Sequence, residues 1–139
     1  MKIKIIDYGY TKLPLRVHES DAGADIYACF KQSSYVDILP GDTVKIPLGL
    51  GLVLPDGHAA FVYPRSSIAL KGVVCELAPI DSGYRGEIHA IVTNCGKSTY
   101  RVLNGDRIGQ LVIMPIVLCD FTTTDCEQRG SGAFGSTGV

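Results

Sequence analysis

Residues 39–63 read LPGDTVKIPLGLGLVLPDGHAAFVY, and this stretch gives the clearest indication of the fold class. Leu39-Pro40-Gly41-Asp42 is a turn signal, and a β-rich run follows it from Thr43 to Leu54. Pro55-Asp56-Gly57 is a second turn signal, and it leads into another such run from Ala59 to Tyr63. Because no window here keeps a 3.6-residue apolar period, the stretch predicts successive strands joined by tight turns rather than a helix.

The rest of the chain continues this organisation. Further strands are predicted at Met1–Tyr8, Asp25–Phe30, Gly86–Asn94 and Ile108–Asp120. The best helical candidate is one turn around Ser66 to Lys71. Turn signals at a spacing of roughly ten residues are typical of an all-β barrel or sandwich. The length of 139 residues suits one domain with a core of its own.

Composition narrows the classes of function. With 13 basic and 14 acidic residues the formal net charge is −1, which lacks the basic surplus of a protein that grips nucleic acid. No apolar run is long enough to span a bilayer. The five cysteines are odd in number, form no Cys-x-x-Cys pair and follow no secretory leader, which favours reduced thiols in a cytosol-like compartment. The three histidines show no metal-ligand spacing.

The end of the chain differs from the rest. Residues 1–128 are predicted to form the β domain, and residues 129–139, RGSGAFGSTGV, a flexible arm. One large apolar residue among small ones cannot bury enough surface to offset its ordering entropy. A frayed tail is the simple alternative, but a single arginine and a single phenylalanine among glycines and hydroxyls favour an arm that closes on a phosphate ligand.

Four further clusters could carry chemistry. They are Ala22-Gly23-Ala24-Asp25, Pro64-Arg65-Ser66-Ser67, Ile80-Asp81-Ser82-Gly83-Tyr84-Arg85-Gly86 and Gly105-Asp106-Arg107-Ile108-Gly109-Gln110-Leu111. Taken singly, each is best interpreted as an ordinary turn, hairpin or helix cap. A helical turn after Arg65 would also offer free amides and a positive charge to an anion.

Taken in order, and followed by the Gly-rich arm, the clusters resemble the five motifs of the trimeric dUTPase family. The resemblance runs from Ala22 to Gly138, and its most specific pieces are Ile80–Ile88 and Phe134–Gly138. It implies a jelly-roll-like β-barrel or sandwich subunit, a homotrimer with active sites at subunit interfaces, and Mg²⁺-dependent hydrolysis of dUTP to dUMP and pyrophosphate. A cytoplasmic protein is expected, or one of the host-cell cytoplasm or nucleus if the source is a virus.

The resemblance also implies a role for each matching residue. Asp81 is expected to be the base that activates the attacking water, and Asp25 to contact Mg²⁺ through a water. Asp106 is expected to brace the site together with Arg65. The residues expected to contact the phosphates or their waters are Arg65, Ser66, Ser67 and Gln110.

Base and sugar recognition is assigned in the same way. Tyr84 is expected beneath the deoxyribose, where it leaves no room for a 2′-hydroxyl, and backbone groups near Ala78 and His89 are expected at the uracil edge. In the arm, Phe134 would stack on uracil and Arg129 would reach the γ-phosphate. Gly135, Ser136 and Thr137 would add amides and hydroxyls.

Some positions depart from the family pattern, and some alternatives stay open. Gly83 stands where an aspartate is common, and the stretch before Asp81 is short, with Ala78-Pro79 in place of a glycine-containing pair. A dCTP deaminase of the same fold would need a catalytic glutamate, for which Glu87 is the nearby candidate. A non-catalytic regulator and a structural jelly roll explain the motifs less well, and the sequence leaves a regulatory protein partner open.

Overall fold

The computed structural model describes residues 1–124, and within them the chain folds as ten strands and one helical turn. The strands are β1 (Lys4–Asp7), β2 (Ala24–Tyr27), β3 (Tyr35–Ile38), β4 (Thr43–Pro47), β5 (Leu50–Val53), β6 (His58–Tyr63), β7 (Val73–Cys75), β8 (His89–Asn94), β9 (Tyr100–Leu103) and β10 (Arg107–Pro115), and the helix is α1 (Ser66–Ala69). The predicted all-β class is therefore confirmed, as is the helical turn.

The strands form four small antiparallel sheets. Their orders are β1-β5, β2-β10-β6, β3-β9 and β4-β8-β7. Apolar residues from all four sheets pack into one continuous core, in which Ile26, Ile38, Ile46 and Leu52 are at most 1% exposed. One core enclosed by short sheets is the predicted barrel or sandwich architecture.

All six predicted strands have somewhat different bounds in the structure, and two of them differ most. The run from Thr43 to Leu54 is not one strand, because Gly49 adopts φ +68° and separates β4 from β5. A side chain at Gly49 would also collide with Cys29 Sγ, 2.7 Å from the position of its Cβ. The last predicted strand ends at Pro115 rather than Asp120, where its pairing with β6 ends at His58.

The sequence analysis did not predict three short strands, β3, β7 and β9.

The turns at Gly41, Gly57 and Gly105 have φ of +88°, +72° and +84°, which explains the glycine in each predicted turn signal. In the described part of the chain, cysteines 29, 75, 95 and 119 are free thiols. Within the described range, no helix has the length and apolarity needed to cross a membrane.

Candidate active site

In the β2-β10-β6 sheet, the strand register places two of the predicted site residues, Asp25 and Gln110, side by side. Strand β10 lies between β2 and β6, so that Gln110 pairs with Asp25 on one side and with Tyr63 on the other. Gly23 permits this approach, because a Cβ there would lie 2.9 Å from Cβ of Gln110. Strand β6 then ends at Tyr63, which brings Arg65 to the same end of the sheet.

Asp25 is the electrostatic centre of this group. Its side chain is buried, yet it is surrounded by donors: Arg107 Nη1 at 3.2 Å, Gln110 Nε2 at 3.4 Å and Arg65 Nε at 3.6 Å. A buried carboxylate is costly unless cations and hydrogen bonds surround it. The arrangement therefore keeps a fixed negative charge between two guanidinium groups. Arg107 was not predicted for this role, although it lies within a quoted motif.

Asp106 supports the neighbouring turn. Its carboxylate accepts a hydrogen bond from the Leu103 amide at 2.9 Å, and its carbonyl accepts one from Ala28 at 2.9 Å. Arg65 is directed to Asp25, so the two residues of the expected bracing pair have different partners. They nevertheless line one cavity of about 300 Å³, together with Ser67, Ile68, Lys71, Tyr100 and Arg107.

Three of the seven side chains that line this cavity are cationic: Arg65, Lys71 and Arg107. Burial and the nearby Asp106 raise the pKa of Tyr100, while Arg65 opposes the shift. Ser66 and Ser67 open α1 and are exposed, and Arg65 occupies the N-cap position without a side-chain capping bond. The predicted phosphate-contacting residues of this cluster thus lie on or beside one cationic surface.

A second cavity, of about 350 Å³, brings together four predicted residues: Ala78, Asp81, Tyr84 and His89. Its apolar wall comes from Val62, Pro79, Ile80, Ile88 and Ile91, and its remaining polar lining from Lys45, Glu76 and Glu87. An apolar pocket with a few polar groups is typical of a small-molecule site. We call it the Asp81 cavity.

Asp81 is held at the rim of this cavity by its backbone. The preceding Ile80 pairs with Ala60 of β6 through two hydrogen bonds of 3.0 and 2.8 Å. The Asp81 carbonyl accepts the Tyr84 amide at 3.1 Å, which closes the turn, while the Asp81 residue is exposed. The carboxylate is thus supplied by a fixed backbone and remains accessible to water.

Tyr84 lies across Gly86. A Cβ on Gly86 would lie 2.6 Å from Cζ of Tyr84, so only glycine leaves space for the ring. The Tyr84 hydroxyl donates to the Glu87 carbonyl at 3.0 Å, and the side chain is 47% exposed. Arg85 stiffens the turn by donating to the carbonyls of Ser82 and Tyr84 at 2.6 and 2.9 Å.

Two charged lining residues of the Asp81 cavity were missed by the sequence analysis. Lys45 lies on β4, and Glu76 follows β7, where its carboxylate accepts a hydrogen bond from the Thr93 hydroxyl at 2.9 Å. Neither belongs to a quoted motif, and only the pairing of β8 with β4 and β7 brings them to the cavity.

The predicted residues therefore form two groups. Across residues 1–124, no hydrogen bond or ion pair joins the Asp25 side chain to residues of the Asp81 cavity. The predicted arm residues Arg129, Phe134, Gly135, Ser136 and Thr137 lie outside the described residues.

The described residues form no cage for a metal ion. Within them, no group of three or more His, Cys, Asp and Glu side chains could hold one. Magnesium commonly keeps several waters and is bound through one or two carboxylates plus substrate phosphates. The single buried carboxylate of Asp25, beside a cationic surface, fits that mode of binding.

Comparison with known proteins identifies the family. The family model for dUTPase matches residues 9–138. The deoxyuridine 5′-triphosphate nucleotidohydrolase of Leifsonia xyli is 42% identical, over 91% of this chain and 86% of its own, and that of Maricaulis maris is 40% identical, over 100% and 96%.

Solved structures agree on the fold. The dUTPase of Staphylococcus bacteriophage 80alpha with dUpNHpp has a TM-score of 0.86 at 24% identity, covering 99% of both chains. A dUTPase from phage phi11 of S. aureus, described with a structural Mg(II) ion, has a TM-score of 0.80 at 22% identity, covering 90% of this chain and 97% of that one. With its matched motifs, its all-β fold and these relatives, the chain belongs to the dUTPase family.

Proposed function

We propose that this protein hydrolyses dUTP to dUMP and pyrophosphate with Mg²⁺, and so keeps uracil out of DNA while supplying dUMP for dTMP synthesis. The observation that carries the proposal is the Asp81 cavity, where an exposed carboxylate on a fixed backbone lies beside an apolar pocket with Tyr84 at its edge. The nucleotidohydrolase names of relatives about 40% identical over nearly the whole chain support the same reaction.

In the proposed reaction, the Asp81 carboxylate accepts a hydrogen bond from a water and takes its proton as the oxygen attacks the α-phosphorus. The bond from that phosphorus to the bridging oxygen breaks, and pyrophosphate leaves. Arg65, Ser66, Ser67 and Gln110 bind phosphate oxygens or their waters. Mg²⁺ on the triphosphate would neutralise its charge and draw the oxygens into position.

Asp25 is proposed to contact the metal through a water. Its oxygens lie 3.2 to 3.6 Å from the donors of Arg107, Gln110 and Arg65. These partners fix the orientation of the carboxylate, and a water bound to the metal is a compact donor that can share it.

Nucleoside selectivity is proposed to come from the Asp81 cavity. Tyr84 would lie beneath the deoxyribose and exclude a 2′-hydroxyl, and backbone groups near Ala78 and His89 would pair with the uracil edge. A site that pairs with one arrangement of donors and acceptors is left with unpaired polar groups by cytosine, and such sites can discriminate by roughly 10⁴-fold.

We also propose a homotrimer. The separation of the Asp25 group from the Asp81 cavity supports it, since an active site at a subunit interface could join the first group of one subunit to the second of another. Residues 129–139 would then close over the site, with Phe134 on uracil and Arg129 on the γ-phosphate. Light scattering tests the assembly, and a fully active monomer would refute it.

The rival activity of a dCTP deaminase is less well supported. The Glu87 carboxylate, which that activity would need as a catalyst, accepts a hydrogen bond from the Gly49 amide at 3.0 Å. This hydrogen bond gives the Glu87 carboxylate a structural role instead of a catalytic one. A cytoplasmic location stays a prediction, and a regulatory protein partner stays an open alternative.

The test is a pyrophosphate-release assay with dUTP, dTTP, dCTP and UTP, with ammonia release from dCTP measured in parallel. We expect hydrolysis of dUTP with strong preference over the other three. Ammonia release from dCTP without hydrolysis of dUTP would favour the deaminase, and comparable turnover of UTP would refute the role given to Tyr84.

A further inference from the structure

The loop that carries Tyr84 is held by two hydrogen bonds, one to Tyr8, which directly follows β1, and one to Gly49 in the β4–β5 connection. Tyr8 donates its hydroxyl to the Arg85 carbonyl at 2.7 Å, and Glu87 accepts the Gly49 amide at 3.0 Å. These two bonds attach the residues on either side of Gly86, the glycine on which the Tyr84 ring rests.

The two attachments belong to one unit. The Tyr8 amide donates to the Gly49 carbonyl at 2.9 Å, so the residues that hold the loop are also bonded to each other. Gly51 lets the unit approach the loop, because a Cβ there would lie 2.8 Å from the Gly86 carbonyl oxygen and 3.1 Å from the Tyr8 ring. We call the side chains of Tyr8 and Glu87, together with Gly49, the loop clamp.

The clamp is linked to the Tyr84 ring through a backbone group, the Glu87 carbonyl. The Glu87 carbonyl accepts the Tyr84 hydroxyl at 3.0 Å and lies 3.1 Å from Nδ1 of His89. Both Tyr84 and His89 line the Asp81 cavity. A shift of Glu87 therefore moves the anchor of the ring, while the Asp81 side keeps its separate support from Ala60.

From this arrangement we infer that Tyr8 and Glu87 are positioning residues. They fix the position of the Tyr84 ring in the Asp81 cavity and thereby set the discrimination against a 2′-hydroxyl. The inference rests on the proposed function, in which Tyr84 excludes ribose. Tyr8 does not line the Asp81 cavity, and the carboxylate of Glu87, which does line it, accepts the Gly49 amide. Loss of either attachment lets the ring recede, so that a ribonucleotide enters more easily while dUTP still reacts.

The test compares the ratio of kcat/KM for dUTP to kcat/KM for UTP. Tyr8→Phe removes one hydroxyl, and Glu87→Ala removes the acceptor for the Gly49 amide. We expect each to lower the ratio by about 2- to 10-fold, the worth of one ordinary hydrogen bond, mainly through faster reaction of UTP. Glu87→Gln keeps a carbonyl oxygen that can accept the same amide and is expected to keep the wild-type ratio.

Tyr10→Phe is the matched control, because Tyr10 lies two positions along and its hydroxyl makes no hydrogen bond to the described loop residues 81–89. An unchanged ratio in both Tyr8→Phe and Glu87→Ala would overturn the inference, as would a Glu87→Gln ratio as low as that of Glu87→Ala. If Glu87→Ala fails to fold in a thermal melt, Tyr8→Phe decides.

Binding of the α,β-imido analogues of dUTP and UTP, measured by calorimetry, gives the same ratio without turnover. A wild-type protein that prefers the deoxy analogue but hydrolyses neither nucleotide would refute the proposed function and leave the clamp to be judged on binding. A wild-type protein that hydrolyses both nucleotides equally well would overturn the clamp.

Discussion

Replacing Gly86 with alanine should displace the Tyr84 ring in the Asp81 cavity and slow hydrolysis without unfolding the chain. The new Cβ would lie 2.6 Å from Cζ and 3.1 Å from Cε2 of Tyr84, whereas ordinary contacts between carbon atoms are about 3.5 Å or longer. The ring must therefore move by about 1 Å. Its hydroxyl, now 3.0 Å from the Glu87 carbonyl, would lose that bond or pull the loop with it.

The expected effect on catalysis follows from this displacement. A misplacement of about 1 Å can cost about 10²-fold in rate, which is about 2.7 kcal/mol of activation free energy. We expect kcat/KM for dUTP to fall by that order in Gly86→Ala, measured by pyrophosphate release. The melting temperature should change little, because Gly86 has no positive φ and its alanine would displace only a half-exposed ring.

Gly83→Ala is the matched control in the same loop. No atom lies within 4 Å of the position of its Cβ, and its φ is not positive. Both variants gain the same methyl group and the same restriction of the unfolded chain. If Gly86→Ala hydrolyses dUTP as fast as Gly83→Ala does, the ring is not held where we describe it and the reasoning fails.

Three further predictions follow from the site and the thiols. Asp81→Asn should bind nucleotide normally but lower kcat by about 10²- to 10⁴-fold, because an amide cannot take the proton; near-normal turnover would move the base elsewhere. Removal of the residues after Gln128 should leave the thermal melt unchanged and cut kcat severely; unchanged turnover would make residues 129–139 a mere tail. Burial, aided by the neighbouring carboxylate of Glu76, raises the pKa of Cys75 to about 11, so at pH 8 a maleimide should label the exposed Cys95 and Cys119 and spare Cys75, as mass spectrometry of peptides would show.

The sequence predicted those parts of the fold that depend on local chemistry. Turns with glycine at positive φ and long apolar runs were found, as was the helical turn at Ser66. Strands β3 and β9 were missed because each has only four residues and is stabilised by a distant partner. One link between them, the bidentate pair of Arg101 with Asp37 at 2.7 Å, joins residues 64 positions apart.

The same limit applies to the site. The motifs predicted a set of site residues, but the contacts of Asp25 depend on the register of β2 against β10. Arg107 and Gln110 lie 82 and 85 positions from Asp25 in the sequence, and no local pattern relates them. The ion pair of Arg65 with Asp25 and the hydrogen bond of Arg107 to Asp25 could therefore be seen only in the folded chain.

The stretch before Asp81 is short and departs from the family pattern at Ala78-Pro79. The question is whether this stretch changes the position of Asp81. The residue next to Asp81 is fixed by two backbone hydrogen bonds between Ile80 and Ala60, and β6, which contains Ala60, is paired along its whole length with β10. A shorter connection from β7 therefore changes the path before Ile80 and leaves the position of Asp81 to β6. Gly83 lies in open space, so its lack of a side chain removes no packing contact. The shortened stretch should consequently alter the proposed uracil edge of the Asp81 cavity, near Ala78, more than the proposed catalytic carboxylate of Asp81.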